Sequence, residues 1–577
     1  MQGARALVDV LRESGVEHIF GLPGDPGMAF YEALNESRSS IKHVMTRDER
    51  SASFMADVYA RVSGRIGICE GPSGGGATYI LPGVAEAQGS AIPMLCMTSD
   101  TPVKQAGRGV LTELDQEALF RPVTKWNTRV SSAATMAETA RRALRMATAG
   151  RPGAVHLSLP TDSLEGETPD ESVYGVPDFL SAPALRTRPD PALVQRAADA
   201  IAQASRPVIV AGGGVMTSRA WDELTSFAEA LNIPVATSIN GKGSIAETSP
   251  VSVGLVGGNG ARAYTNELVA DADLVIFIGT RTDSTTTHHC RLPKIHGGTA
   301  GVQIDVEPYE IGNNYRLVAP VAGDAKLALI DLFDAIEQKE AITARHQERI
   351  DGLVAIRDRY WADVADQGKS DSQPIKPQRL VREMRAVLDD EVIIVADPGT
   401  PTPYIGAQYE LRKAGRWTVI PRAHGGLGYA IPGVVGAQMA APETRVVGLT
   451  THGRFGMSVG ELETITRLNL PIVLIHCSNN SFGWIKELQH LYHGDRYFSV
   501  DFNGVDYAGI AKGFGFRSWS VTNPAEIGTT LQIALADGGP CFIDVTTESQ
   551  ITETPPVAAW VDAEEKKRAG IRVEHHG

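Results

Sequence analysis

At 577 residues the chain exceeds what one ordinary hydrophobic core supports, and its length predicts three or four domains. A composition of 43% hydrophobic and 21% charged residues is that of a globular protein, and a formal charge of −14 spread along the chain excludes a basic nucleic-acid-binding surface. The five cysteines (Cys69, Cys96, Cys290, Cys477 and Cys541) share no ligand-like spacing, which excludes a zinc site and a disulfide framework.

The chain opens on "MQGARALVDVLRESGVEHIF", where acids interrupt the apolar pattern; this predicts an amphipathic helix rather than a signal peptide. No apolar run reaches transmembrane length, so the expectation is a cytoplasmic protein with no membrane partner. Apolar β-branched runs then alternate with helical patterns along the whole chain. That alternation predicts an α/β fold of three doubly wound parallel-sheet domains. Two seams separate them: a Pro-, Ser- and acid-rich stretch at 161–192, and a charged helix with a polar linker at 346–377. The predicted blocks are 1–165, 185–340 and 375–550, with 551–577 as a tail. No tandem repeat or low-complexity segment is visible.

In the first block, "TRDERSASFMADVYARVSG" (46–64) carries Ala52, Met55, Tyr59 and Val62 at helical spacing, one buried stripe. Glu49 extends that stripe by one step toward the helix N-terminus. Two readings stand there. An acid in the first turn complements the helix dipole; a desolvated acid has a raised pKa suited to proton exchange with a bound base.

In the last block, "VVGLTT" (446–451) reads as a strand, His452-Gly453-Arg454 as a loop, "SVGELETITRL" as a helix and "IVLIHCS" as the next strand, followed by "NNSFGW". A right-handed βαβ unit brings both loops to the carboxyl end of the sheet, where such folds bind ligands. The helix after "NNSFGW" aims its N-terminus there, which favours an anion such as phosphate.

With these segments in order, the chain resembles the thiamine diphosphate enzymes of the acetolactate synthase, benzoylformate decarboxylase and pyruvate decarboxylase group. "IFGLPGDPGMAFYEAL", "TRDERSASFMADVYAR", "GPSGGGATYILPGVAEA", "LTELDQEALFRPVTKW", "HGGLGYAIPGVVGAQ" and "NNSFGW" carry the resemblance over nearly the whole length. It implies that Glu49 protonates the cofactor's aminopyrimidine, that Gln116 lines the site and that Leu427 props the cofactor in its bent shape. It further implies a cofactor-binding set of Gly399, Thr400, Gly425, Leu427, His452, Gly453, Arg454 and Asn479, with Asn479 and the Ser481 carbonyl at the metal. In the family, the activated cofactor attacks a small 2-oxo acid and accepts electrons as carbon dioxide leaves. The expected activity is therefore that of a decarboxylase, a carboligase or both. Because family sites combine two chains, the resemblance also implies a homodimer or homotetramer.

Three features depart from the family pattern. Asp25, in "PGDPG", stands where pyruvate decarboxylases carry an acid, but their paired histidines have no counterpart in "GRGVLTELDQE"; Asp25 is either a catalytic acid or a turn residue. Thr451-His452-Gly453 replaces Gly-Asp-Gly, whose aspartate binds magnesium, and this leaves Mg2+ without its usual ligand. One reading is that His452 and Arg454 replace the ion's net charge at the diphosphate; the other is that Arg454 faces solvent and the chain is a degenerate, non-catalytic partner protein. In the middle block, "AGGGVM", "GLVGGNGARAYTN" and "GTRTDS" resemble flavin-binding stretches, with the balance against bound FAD. The histidines of "THHC" (287–290) point apart and read as packing or surface residues, and "EHHG" (574–577) as a mobile end.

Overall fold

The computed structural model describes residues 1–295, 297–571 and 573. It contains three six-stranded parallel sheets flanked by helices, which is the architecture the alternating pattern predicts. The first sheet has β1 (His18–Gly21), β2 (Lys42–Met45), β3 (Gly67–Gly71), β4 (Met94–Asp100), β5 (Trp126–Arg129) and β6 (Ala154–Pro160), in the order β2-β1-β3-β4-β6-β5. The second has β7 (Pro207–Ala211), β8 (Val235–Thr237), β9 (Ser252–Leu255), β10 (Leu274–Ile278), β11 (Ala300–Asp305) and β12 (Leu317–Ala322), in the order β12-β11-β10-β7-β8-β9. The third has β13 (Ile393–Ala396), β14 (Thr418–Val419), β15 (Val446–Thr451), β16 (Ile472–Ser478), β17 (Arg517–Val521) and β18 (Cys541–Thr546), in the order β14-β13-β15-β16-β18-β17. Central strands such as β7 and β10 are buried along their full length, as sheets covered on both faces require.

The contacts divide the chain into two compact units. One comprises Met1–Leu185, Pro421–Gly448 and Gly456–Ile472; the other comprises Arg186–Ile420, Leu449–Phe455 and Val473–Gly577. The first unit thus takes in segments that the sequence places in the third block. The reason is the helix Ala430–Ala440, which is buried on every side and has no polar face to give to water. It packs on the helix Glu49–Ser63, and at Gly436 the approach is so close that a Cβ would collide with the Met55 carbonyl. Gly67 and Gly83 allow similar backbone approaches to Ala56 and Ser53 of that helix. The Glu49 helix is therefore buried nearly all round from Ser51 to Ala60, and the single stripe read from the sequence understates its enclosure.

In the second unit, Glu247 accepts from Lys242 Nζ (2.9 Å), Arg262 Nη2 (3.0 Å) and the Leu411 amide (2.8 Å), all buried. This network anchors the chain just beyond the helix Pro401–Gln408. The segment expected to be a tail carries a helix, Ala558–Arg568. Its Trp560 packs against Trp484 with ring centroids 4.2 Å apart, and that apolar burial orders it. The terminal 574–577 lies outside the described residues. No helix among the described residues is long and apolar enough to cross a membrane.

Candidate active site

In the first unit, Glu49 is the opening residue of its helix and is 8% exposed. The preceding Asp48 caps the helix through the Arg50 amide (2.8 Å), so Glu49 is not needed as a cap. Its side chain lies against Gly71 and Gly76, where added Cβ atoms would come within 3.3 Å of Cγ and 3.0 Å of Oε1. Burial raises the Glu49 pKa, with Asp48 and Glu70 adding like-charge repulsion. The result is a shielded carboxyl group that holds its proton more tightly than a surface glutamate.

Gly425 and Leu427 belong to the same unit, in the turn before the helix Ala430–Ala440. Gly425 adopts φ +73° with open space where a side chain would project. What fixes this turn is Glu86, which the sequence reading did not single out. Its carboxylate is fully buried and accepts four consecutive backbone amides: Arg422 (3.0 Å), Ala423 (3.1 Å), His424 (2.7 Å) and Gly425 (3.3 Å). Arg61 pairs with it at 3.1 Å. Burial opposes the Glu86 charge, but Arg61 and the amides outweigh burial and hold its pKa below the usual carboxylate value.

Gln116 is buried and fully engaged: Oε1 accepts from Thr98 Oγ1, and Nε2 donates to the Ser99 carbonyl at 2.9 Å. It forms one wall of a cleft of about 210 Å³ that also borders Asp100, Glu113 and Arg129. Asp25 is exposed at the start of a short 3₁₀ turn, Asp25–Gly27. The flanking Gly24 and Gly27 border a small cavity with Tyr31 and Glu70. Glu70 is a second buried acid that the sequence reading missed. It accepts from the Tyr31 hydroxyl and lies 3.1 Å from His43 Nε2. Gly21 makes this possible, because a Cβ there would collide with the Glu70 carboxylate.

In the third sheet, β15 and β16 are neighbours, as the βαβ reading requires. The predicted His452–Arg454 loop is instead the first turn of a helix, His452–Ser458, that follows the strand directly. His452 Nδ1 accepts from the Asn479 amide (3.1 Å), and its Nε2 lies 2.9 Å from Asn480 Oδ1. Burial pushes the His452 pKa down to about 4, so the ring is neutral at pH 7, and the Asn480 backbone amide also lies 3.2 Å from Nε2. Phe502 stacks on it at 6.1 Å and Tyr507 meets it edge-on at 4.8 Å. Gly453 makes room for the Phe482 ring, which a Cβ would strike.

Arg454 does not face solvent: it is 5% exposed. Its Nη1 donates to Thr451 Oγ1 at 2.7 Å, and its guanidinium passes under Gly399, where φ is +99° and a Cβ would collide with Nη2. Burial lowers the Arg454 pKa while the Asp397 carboxylate supports the charge. The Asp397 carboxylate thus acts on this charge from inside the protein. Thr400 is buried at the N-cap of the helix Pro401–Gln408. Asn479 Oδ1 accepts from the Ser481 amide and hydroxyl, both at 3.3 Å. His452, Gly453, Asn479 and Ser481 therefore form one cluster, with Arg454, Gly399 and Thr400 on its β13 side.

Each unit taken by itself has chemistry that fits part of thiamine diphosphate: the first offers a buried carboxyl group and an open glycine turn, which suit a pyrimidine ring. The second offers a helix N-terminus without a side-chain cap (Gly483–Tyr492), which suits a diphosphate. The fit to magnesium at the family position fails. Both His452 nitrogens are committed to the 479–480 turn, and imidazole is in any case a poor partner for a hard cation. Among the described residues there is no group of three His, Cys, Asp or Glu that could hold a metal, and the "THHC" histidines take no part in one. In the middle sheet the glycine turns pack on each other: Cβ atoms at Gly212 and Gly214 would meet Gly279.

A buried acid and a helix N-terminus without a side-chain cap, on α/β sheets, are the kind of groups a cofactor site uses. Comparison with known proteins identifies which kind. The chain matches the thiamine pyrophosphate enzyme family in three parts: the N-terminal TPP binding domain over residues 1–119, the central domain over 194–332 and the C-terminal TPP binding domain over 397–545. It is similar to probable acetolactate synthase large subunits of Methanococcus aeolicus (34% identity, 97% of this chain and 94% of the relative) and Methanocaldococcus jannaschii (34%, 95% and 92%). The acetolactate synthase large subunit of Parasynechococcus marenigrum is 32% identical, over 94% of this chain and 87% of the relative. The chain belongs to the thiamine pyrophosphate enzyme family, on the acetolactate synthase-like side.

Proposed function

We propose that the protein decarboxylates a small 2-oxo acid and joins the remaining acyl unit to a carbonyl acceptor. The observation that carries this reading is Glu49, buried at a helix start where a capping aspartate makes it structurally dispensable. Thiamine diphosphate, when bound, supplies the nucleophilic carbon and the electron sink for loss of carbon dioxide. The chain's residues do the rest. Glu49 holds a proton at the pyrimidine ring; Glu86 fixes the turn that presents Gly425 and Leu427; Gln116 walls the cleft. His452, neutral, braces the 479–481 turn. The replaced metal-binding motif favours the non-catalytic alternative, but the buried Arg454 and the enclosed Glu49 count against it.

The test is carbon dioxide release from pyruvate and longer 2-oxo acids, with the ligated product followed by NMR. Release should depend on added thiamine diphosphate and should survive excess chelator, because the magnesium ligand set is incomplete. No release from any 2-oxo acid, with the cofactor bound, would overturn the proposed reaction; a strict magnesium requirement would overturn the metal-free part.

We also propose a homodimer or homotetramer, since family sites are shared between chains. Light scattering should show no monomer at assay concentration, and an active monomer would contradict this.

A further inference from the structure

The helix Gly483–Tyr492 follows the Asn479–Ser481 turn, and no side chain caps its N-terminus. Its leading amides therefore remain available to an anion. Gln550, on the segment after β18, lies against the first residue of this helix. Its Oε1 is 2.5 Å, and Asn479 Nδ2 3.2 Å, from the point where a Cβ on Gly483 would sit. Gln550 is 1% exposed, yet neither its Oε1 nor its Nε2 has a hydrogen-bond partner. A buried primary amide left entirely unsatisfied is costly, and its location says what it awaits. One turn along the same helix face, Glu487 is fully buried. Burial pushes its pKa up to about 8, so at neutral pH it adds no negative charge beside Gly483.

We propose that Gln550 binds the terminal phosphate of thiamine diphosphate, donating Nε2–H beside the Asn479 amide and the helix N-terminus. The inference rests on the thiamine diphosphate reading and adds a residue to it. The donor set is neutral, and it adds hydrogen bonds to an anion site whose metal-binding aspartate is replaced by His452. A half-turn of the amide exchanges Oε1 and Nε2, so the side chain can present its donor without backbone movement.

The test is titration of the full-length protein and its Gln550→Met and Gln550→Glu variants with thiamine diphosphate, inorganic diphosphate and thiamine. Tryptophan fluorescence is the readout, because Trp484 lies in the first turn of the helix. A hydrogen bond to a charged group predicts that Gln550→Met weakens both diphosphates by about 10- to 100-fold. Gln550→Glu should weaken them further, with thiamine affinity unchanged in both variants. Should the glutamate variant fold poorly, as judged by circular dichroism, the methionine variant decides. Wild-type affinity for diphosphates in Gln550→Met, or an equal loss for thiamine, overturns the assignment. If the wild-type protein binds inorganic diphosphate through Gln550 but not the thiamine ester, the cofactor reading fails while the anion site stands. Binding of neither by the wild type overturns both.

Discussion

Glu49→Gln should fold and bind cofactor as the native protein does, and lose about 10²- to 10⁴-fold in turnover, the usual contribution of a positioned acid–base group. The substitution keeps the side chain's size in a site bounded by Gly71 and Gly76, so packing is preserved. What it removes is a proton that can be exchanged. The stability effect has a definite sign. Glu49's folded pKa is raised, chiefly by burial, so the folded state binds a proton that the unfolded chain releases above its ordinary value of 4.5. Stability therefore falls as pH rises above that value toward the folded pKa, and an amide is free of this cost. The variant should melt at the same temperature as the native protein or higher at pH 7, while turning over far more slowly. A variant with native turnover would remove Glu49 from the mechanism, and one that unfolds would make it a structural residue.

The second large effect concerns Glu86→Leu. This change removes a buried charge that serves Arg61 and four backbone amides at once; the amides lose their acceptor, and Arg61 keeps only Asp57. Breaking a buried charge pair on one side typically costs about 3–5 kcal/mol. The turn at 422–427 should loosen, so protease cleavage there should appear, and cofactor affinity should fall with stability. Since the folded pKa of Glu86 is depressed, its stabilisation is present above 4.5 and is lost as pH falls through the folded value. The native protein and the variant should therefore converge in strong acid. Equal denaturant midpoints at pH 7 would contradict the role assigned to Glu86.

Strands and helices were legible because β-branched runs and helical spacing are local signals, and the three sheets form where those runs lie. Glu49's burial was legible for the same reason: it sits one step before Ala52 on a helical stripe. Glu86 was not, because a glutamate within a helix reads as a surface residue. Its partners are backbone amides more than 300 positions away, and amides carry no sequence signature. Arg454 shows the same limit. Its residue type suggested phosphate, but the carboxylate that supports its charge, Asp397, lies just past β13, far away in sequence. Gln550 follows a strand end without any motif, and only its unpaired, buried amide singles it out. The reassignment of 421–448 to the first unit depends on Gly436 meeting Met55, a pairing that no local pattern records.

The central claim is that Glu49 supplies the proton chemistry that activates thiamine diphosphate in this chain. Deuterium exchange at the cofactor's C2 position, measured by rapid acid quench and NMR, tests it before any substrate enters. With the native protein, exchange should be faster than for free cofactor by orders of magnitude, and Glu49→Gln should fall back toward the free rate while still binding. Equal exchange rates in the native protein and in cofactor-loaded Glu49→Gln would contradict the account.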